Sequence, residues 1–179
     1  MDVECTVSIS TKASLILRDV ELLKQFKDVS VAMSINTPDE NFKCDMDNAS
    51  SIETRMNTLK VLHENRIRTV LFMSPIFPEI TNYKEIIEKS RRFVDEYWFE
   101  NLNLRGEYKV RILKYINEKY QQHVDLYKQI YVDGNKDYWV GLAEEIEAYC
   151  AEHCIIYTNF FYHEKLVAQK KEKIGEPGK

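Results

Sequence analysis

Three stretches of the chain share one form: an apolar run, then Ser, Thr or Lys, then a turn, then an amphipathic segment. They are TVSISTK (residues 6–12), VAMSINT (31–37) and VLFMSPI (70–76). An apolar run closing on small polar residues is how a buried parallel strand looks at its C-terminal end. In open α/β sheets that end holds the ligands. The pattern predicts strands at residues 5–10, 29–36 and 69–76. Helices at 14–26 (Ile16, Val20 and Leu23 on one face) and from residue 50 (Ile52, Met56, Leu59, Leu62) connect them. Ser50 and Glu53 have the spacing of a capping box, as do Asn82 and Glu85. The second pair opens a stripe from Tyr83 through Ile86, Ile87, Ser90, Phe93 and Val94 to Tyr97.

Beyond it the pattern predicts a strand at 98–104, one long helix at 108–131, a break at DGNKD (133–137), a helix at 138–153 and a last strand at 155–160. Residues 37–49 show no periodicity and form the longest irregular connection, leaving from the strand-end rim. Five strands alternating with helices make an α/β protein with a mainly parallel sheet. A full eight-fold barrel takes about 250 residues, so the 179 here suit a doubly wound sheet or a partial (β/α) barrel arc. We expect one domain over 1–165 and a charged, frayed tail over 166–179. The first strand starts almost at Met1 and predicts a sheet edge that something else covers.

Composition narrows the function classes. At 44% hydrophobic and 30% charged residues the chain is an ordinary globular one. A net charge of -4 does not support nucleic-acid binding through a basic surface. No apolar run reaches membrane-spanning length and no signal-peptide pattern opens the chain, which predicts a cytoplasmic protein with reduced cysteines.

Lys12, Ser34 and Ser74 fall on successive strand ends and could floor one polar pocket. A lysine there suits a carboxylate or phosphate; a solvated lysine and self-satisfied hydroxyls are the alternative. Arg55 opposes the helix dipole in the first turn of its helix. That predicts either a specific anionic partner or a surface pair with Glu53 or Asp47. Cys150 and Cys154, near His153 and His163, have CxxxC spacing. A metal needs more converging ligands, and Cys150 lies on an apolar stripe. Cys5 and Cys44 form no ligand spacing. The aromatic YTNFFYHEK (157–165) suits packing or ring stacking. There is no GxGxxG, GxxxxGK, GxSxG or HExxH.

The segments STKASLILRDVELLKQF, VAMSINTPDE, SIETRMNTLKVLHENRI and VLFMSPIFPEIT, with ENLNLRG and YTNFFYHEK, resemble the radical S-adenosylmethionine proteins, most closely the spore photoproduct lyase-like branch. The resemblance covers about residues 5–165. It implies the C-terminal half of a partial (β/α) barrel. Lys12 would bind the methionyl carboxylate of S-adenosylmethionine, Ser34 would help hold the same moiety, and Ser74 would stand where backbone approaches the adenine. It assigns Arg55 no role. The family's CxxxCxxC loop holds a four-iron four-sulfur cluster that cleaves S-adenosylmethionine to a 5′-deoxyadenosyl radical. That loop is missing from this sequence; Cys150 and Cys154 supply CxxxC, but Tyr157 takes the third place. The expectation is an enzyme half, inactive alone and carrying a cluster only when a missing N-terminal half supplies it. That half, or a second copy, would cover the edge at residues 5–10, from Cys5 to Ser10. A non-catalytic half-barrel for binding or protein interaction is the alternative, and a small zinc protein using Cys150, Cys154 and His163 a third.

Overall fold

The computed structural model describes residues 5–161. Its strands are β1 (Thr6–Thr11), β2 (Asp28–Ser34), β3 (Arg68–Ile76), β4 (Glu96–Asn101) and β5 (Tyr157–Asn159). They lie in the order 1-2-3-4-5, and every neighbouring pair is parallel. A doubly wound sheet reverses its order at a switch point. This one does not, so it is an arc of a (β/α) barrel. The helices are α1 (Val20–Leu23), α2 (Glu40–Met46), α3 (Ile52–Glu64), α4 (Tyr83–Ser90), α5 (Gly106–Lys119), α6 (Val124–Tyr131) and α7 (Asp137–Glu152).

Period-two alternation sorts each strand between two faces. Met33 of β2, Leu71 and Met73 of β3, and Phe99 of β4 point outward into a core completed by Leu59, Ile86, Ile112, Ile116, Tyr127 and Ile146 of the helices. Their neighbours Ala32, Ser34, Phe72, Ser74, Trp98 and Glu100 line the inner, concave face. There Phe72, Trp98 and Phe160 meet edge to face, with centroids 5.6 Å (Phe72–Trp98) and 5.7 Å (Trp98–Phe160) apart. Below them Glu96 accepts bonds from Arg68 (2.8 Å), the Trp98 indole (2.7 Å) and Thr158 (2.8 Å). Those three donors make a buried carboxylate tolerable.

The arc is thinner at its first end. Val20, Leu23, Val31, Leu62 and Ile67 form a small separate core behind β1 and β2, and β1 alternates exposed with half-buried residues. Among the described residues β1 has a ladder partner only in β2.

The structure corrects several boundaries. The predicted helix over 14–26 is a 3₁₀ segment (Ser14–Asp19) followed by the single turn of α1. Residues 37–49 are not irregular throughout. They carry α2, whose N-cap Asp39 accepts from the Asn41 amide at 2.8 Å. The cap of α3 is Ser51, which accepts from the Thr54 amide at 3.1 Å, and not Ser50. Asn82 does cap α4, with the Glu85 amide at 3.2 Å. That helix stops at Ser90, and Tyr97 of the predicted stripe belongs to β4. The helix expected over 108–131 breaks at Tyr120, where the backbone turns to φ -136. The Tyr120 ring packs against Phe42 and Tyr115, and α6 folds back on α5. No Gly or Pro marks that break, so periodicity ran through it. Pro75 lies within β3; lacking an N–H, it falls where the ladder to β4 is interrupted, between Met73 and Ile76. Residues 162–165 of the aromatic segment, His163 among them, and the predicted tail at 166–179 lie outside the described residues.

Candidate functional site at the strand-end rim

The C-terminal ends of β1 to β4 are tied together by one continuous path of hydrogen bonds. It starts at Lys12, the residue after β1, whose ammonium lies 3.0 Å from Asp47 Oδ2. The other Asp47 oxygen accepts from Arg55 Nη2 at 2.6 Å. Arg55 Nη1 donates to the Ser34 carbonyl at 3.1 Å, and Nε to the Ser50 carbonyl at 2.7 Å. The Ser34 hydroxyl donates to the Ser74 carbonyl at 3.1 Å, and the Ser74 hydroxyl donates to the Glu100 carboxylate. The path thus crosses from the end of β1 to the end of β4 (Lys12, Asp47, Arg55, Ser34, Ser74, Glu100). The three residues predicted for the rim are brought to one rim, Ser34 and Ser74 in direct contact and Lys12 through two intermediaries.

Local sequence explains each position. Thr11 pairs with Met33, and Ser34 with Phe72, so Lys12, Ser34 and Ser74 fall at neighbouring ends of adjacent parallel strands. Asp47 ends α2, and its Oδ1 also accepts the Ala49 amide at 3.0 Å. Arg55 lies in α3, one turn past its start, aimed back at the strand ends. It is 1% exposed, so a surface pair with Asp47 is the wrong description. Arg55 is a buried, forked cation holding β2, the 47–50 connection and Asp47 at once. Burial alone would raise the Asp47 pKa. The bonds from Lys12, Arg55 and the Ala49 amide, with the Arg55 charge, outweigh it and hold the carboxyl below its usual range. Two cations and one carboxylate leave the cluster with a net charge of about +1. Lys12 keeps 42% of its side chain exposed and, with three ammonium donors, can serve a ligand as well as Asp47.

Around this path the rim is firmly bonded. Asn36 Nδ2 donates to the Pro75 carbonyl at 3.0 Å, and Thr81 Oγ1 donates to the Asn36 carbonyl at 2.7 Å. The Ser74–Pro75 peptide is cis.

Glu100 was missed by sequence reasoning, although the signal that selected Ser34, a polar residue closing an apolar strand, is repeated in YWFEN. Glu100 also lines an open cavity of about 780 Å³ beyond the ends of β4 and β5. Residues 100–105 of the segment ENLNLRG line one part of it.

The cysteine pair does not converge. Cys150 is buried in the helix-side core, where burial pushes its thiol up to about 11. Cys154 is exposed, beyond the end of α7, with φ 53. Among the described residues no three His, Cys, Asp or Glu side chains gather to hold a metal ion. No described helix is long and apolar enough to cross a membrane.

No family model matches the chain. An uncharacterized protein of Methanocaldococcus jannaschii is 35% identical over 127 residues, which are 70% of this chain and 48% of that protein. The chain therefore spans about half the length of the curated relative it matches. Among solved structures, Streptococcus suis SuiB bound to S-adenosylmethionine matches with a TM-score of 0.54 and 15% identity, over 87% of this chain and 33% of SuiB. A second SuiB structure matches at 0.52 and 16%, over 85% and 32%. At such identity the likeness is one of fold, a partial (β/α) barrel.

Proposed function

We propose that this chain supplies part of an S-adenosylmethionine pocket in a radical S-adenosylmethionine enzyme of the spore photoproduct lyase-like branch. It would act there as the C-terminal half of the barrel. The observation that carries the reading is the rim itself: Lys12, Ser34 and Ser74 stand at the ends of three adjacent parallel strands. The fold shared with a protein solved with S-adenosylmethionine supports it.

The residues fit the ligand's polar end. Lys12, in a cluster of net positive charge, would take the methionyl carboxylate. Ser34, its proton given to the Ser74 carbonyl, would offer oxygen lone pairs to the amino group. Asp47 and Arg55 would act as positioning residues, the first aiming Lys12 and the second locking the end of β2. When bound, S-adenosylmethionine supplies the source of a carbon-centred radical in that family. An iron-sulfur cluster does not fit the described residues: Cys150 is buried, no three metal-binding side chains gather among them, and the sequence has no CxxxCxxC. In this reading the cluster loop comes with a covering half that packs on the inner face and along the β1 edge, or a second copy covers that edge. The missing loop equally favours a second reading, a half-barrel that binds without chemistry.

Calorimetric titration of the 179-residue chain with S-adenosylmethionine tests the pocket. We expect Lys12→Ala to weaken binding by about tenfold or more, the worth of one charge-assisted contact. Equal binding by wild type and Lys12→Ala would sink the assignment. Anaerobic iron-sulfur reconstitution separates the rest: a cluster on the chain alone would overturn the need for a covering half.

A further inference from the structure

The cavity beyond β4 and β5 belongs to none of the roles assigned so far. Its floor is apolar and buried, made by Leu102, Ile130, Trp139 and Phe161. Trp139 and Phe161 pack edge to face at 5.2 Å. Tyr131 fixes one wall, its hydroxyl donating to the Leu102 carbonyl at 3.1 Å, while Lys109 Nζ donates to the Tyr131 carbonyl at 2.5 Å. Two exposed cations line the cavity on different elements: Arg105, just before α5, whose Nε also donates to Asn103 Oδ1 at 3.2 Å, and Lys136, just before α7. Glu100 stands at the opposite, strand-end side, where Ser74 occupies one of its lone-pair sites. The α6–α7 connection reaches the mouth through Gly134, whose φ of +77 suits glycine.

About 780 Å³ is the size of a small-molecule site, and an aromatic wall with a few convergent polar groups is its usual make-up. The polar groups come from separate elements: the exposed cations Arg105 and Lys136 from the two helix starts, and Glu100 from the end of β4. We propose that this cavity binds a small aromatic anion, a planar ring bearing a carboxylate or phosphate at one end and an N–H donor at the other. The anionic group lies between Arg105 and Lys136, the ring lies against the Trp139 and Tyr131 wall, and the donor reaches Glu100. The site stands on its own residues and does not depend on S-adenosylmethionine binding at the neighbouring strands.

Amide-detected NMR titration of the full chain, with indole-3-acetate, indole, acetate and 1-methylindole-3-acetate as probes, tests this. Indole-3-acetate should shift the Asn103, Gly134 and Asn135 amides and bind about tenfold tighter than indole or the N-methyl analogue, one charge-assisted contact being lost in each. The exposed double variant Arg105→Gln/Lys136→Gln should bind indole-3-acetate no better than indole, with indole binding unchanged. The proposal fails if no probe moves those amides, if acetate alone moves them as strongly, or if the double variant keeps wild-type affinity for indole-3-acetate. Equal binding of the N-methyl analogue would remove Glu100 from the site.

Discussion

The two ends of the rim are built from opposite materials. At the β1–β3 end, charges are paired with one another: Lys12, Asp47 and Arg55 form one bonded cluster, and Arg55 is buried within it. At the β4–β5 end, aromatic walls enclose a cavity and the cations stay at its solvent edge. A buried charge costs several kcal/mol to desolvate and must be partnered. An aromatic wall is stabilised by burial itself and needs no charged partner. The first end is therefore rigid and sensitive to substitution. The second should tolerate change at its mouth.

The largest break in that comparison should come from Arg55→Met. It strands Asp47 and leaves the Ser34 and Ser50 carbonyls short of donors, and should cost about 3–5 kcal/mol, read by urea unfolding. Arg55→Lys should recover little of it, because an ammonium cannot reproduce the fork that spans three acceptors. A variant as stable as wild type would mean that the buried pair is not what holds this end.

Asp47→Asn is the next test and adds a pH signature. It should cost about 1–3 kcal/mol at neutral pH, the range for a lost buried hydrogen-bonding group. The folded carboxyl sits below its ordinary value. Its contribution is thus complete above the unfolded value of about 4 and is lost as the pH falls through the lower folded one. Denaturation measured from pH 7 downward should show the wild-type advantage over Asp47→Asn shrinking below about pH 4. A gap that stays constant with pH would separate the stability from the ionised carboxylate.

At the other end, Tyr131→Phe removes one hydrogen bond to the Leu102 carbonyl and should cost about 1 kcal/mol, measurable as a shift in unfolding midpoint. Smallest of all, Lys136→Gln at the cavity mouth should change stability by no more than about 0.5 kcal/mol. A large loss there would show that the mouth is structural and erase the contrast between the ends.

β2, β3 and the placement of Lys12, Ser34 and Ser74 at one rim were legible in residues 6–12, 31–37 and 70–76, whereas the strand order was not, since the same runs suit a doubly wound sheet. Parallel strands buried on the helix side need such runs, and a βαβ chain brings their C-terminal ends to one side whatever the details. Other features were not legible. The Tyr120 break carries no Gly or Pro, and depends on a ring packing against Phe42 from a distant connection. Asp47 was legible as a possible partner of Arg55, but the burial of Arg55 was not, because it depends on the Ser34 carbonyl 21 positions away. The cavity draws its walls from β4, α5, α6, α7 and the two residues after β5 together. The sequence alone determined which residues each strand would bring to the rim, since period two and parallel order act locally. Only the tertiary structure decided which of them would join the charged cluster and which would border the cavity, because pairing and enclosure depend on distances between segments that the chain order does not encode.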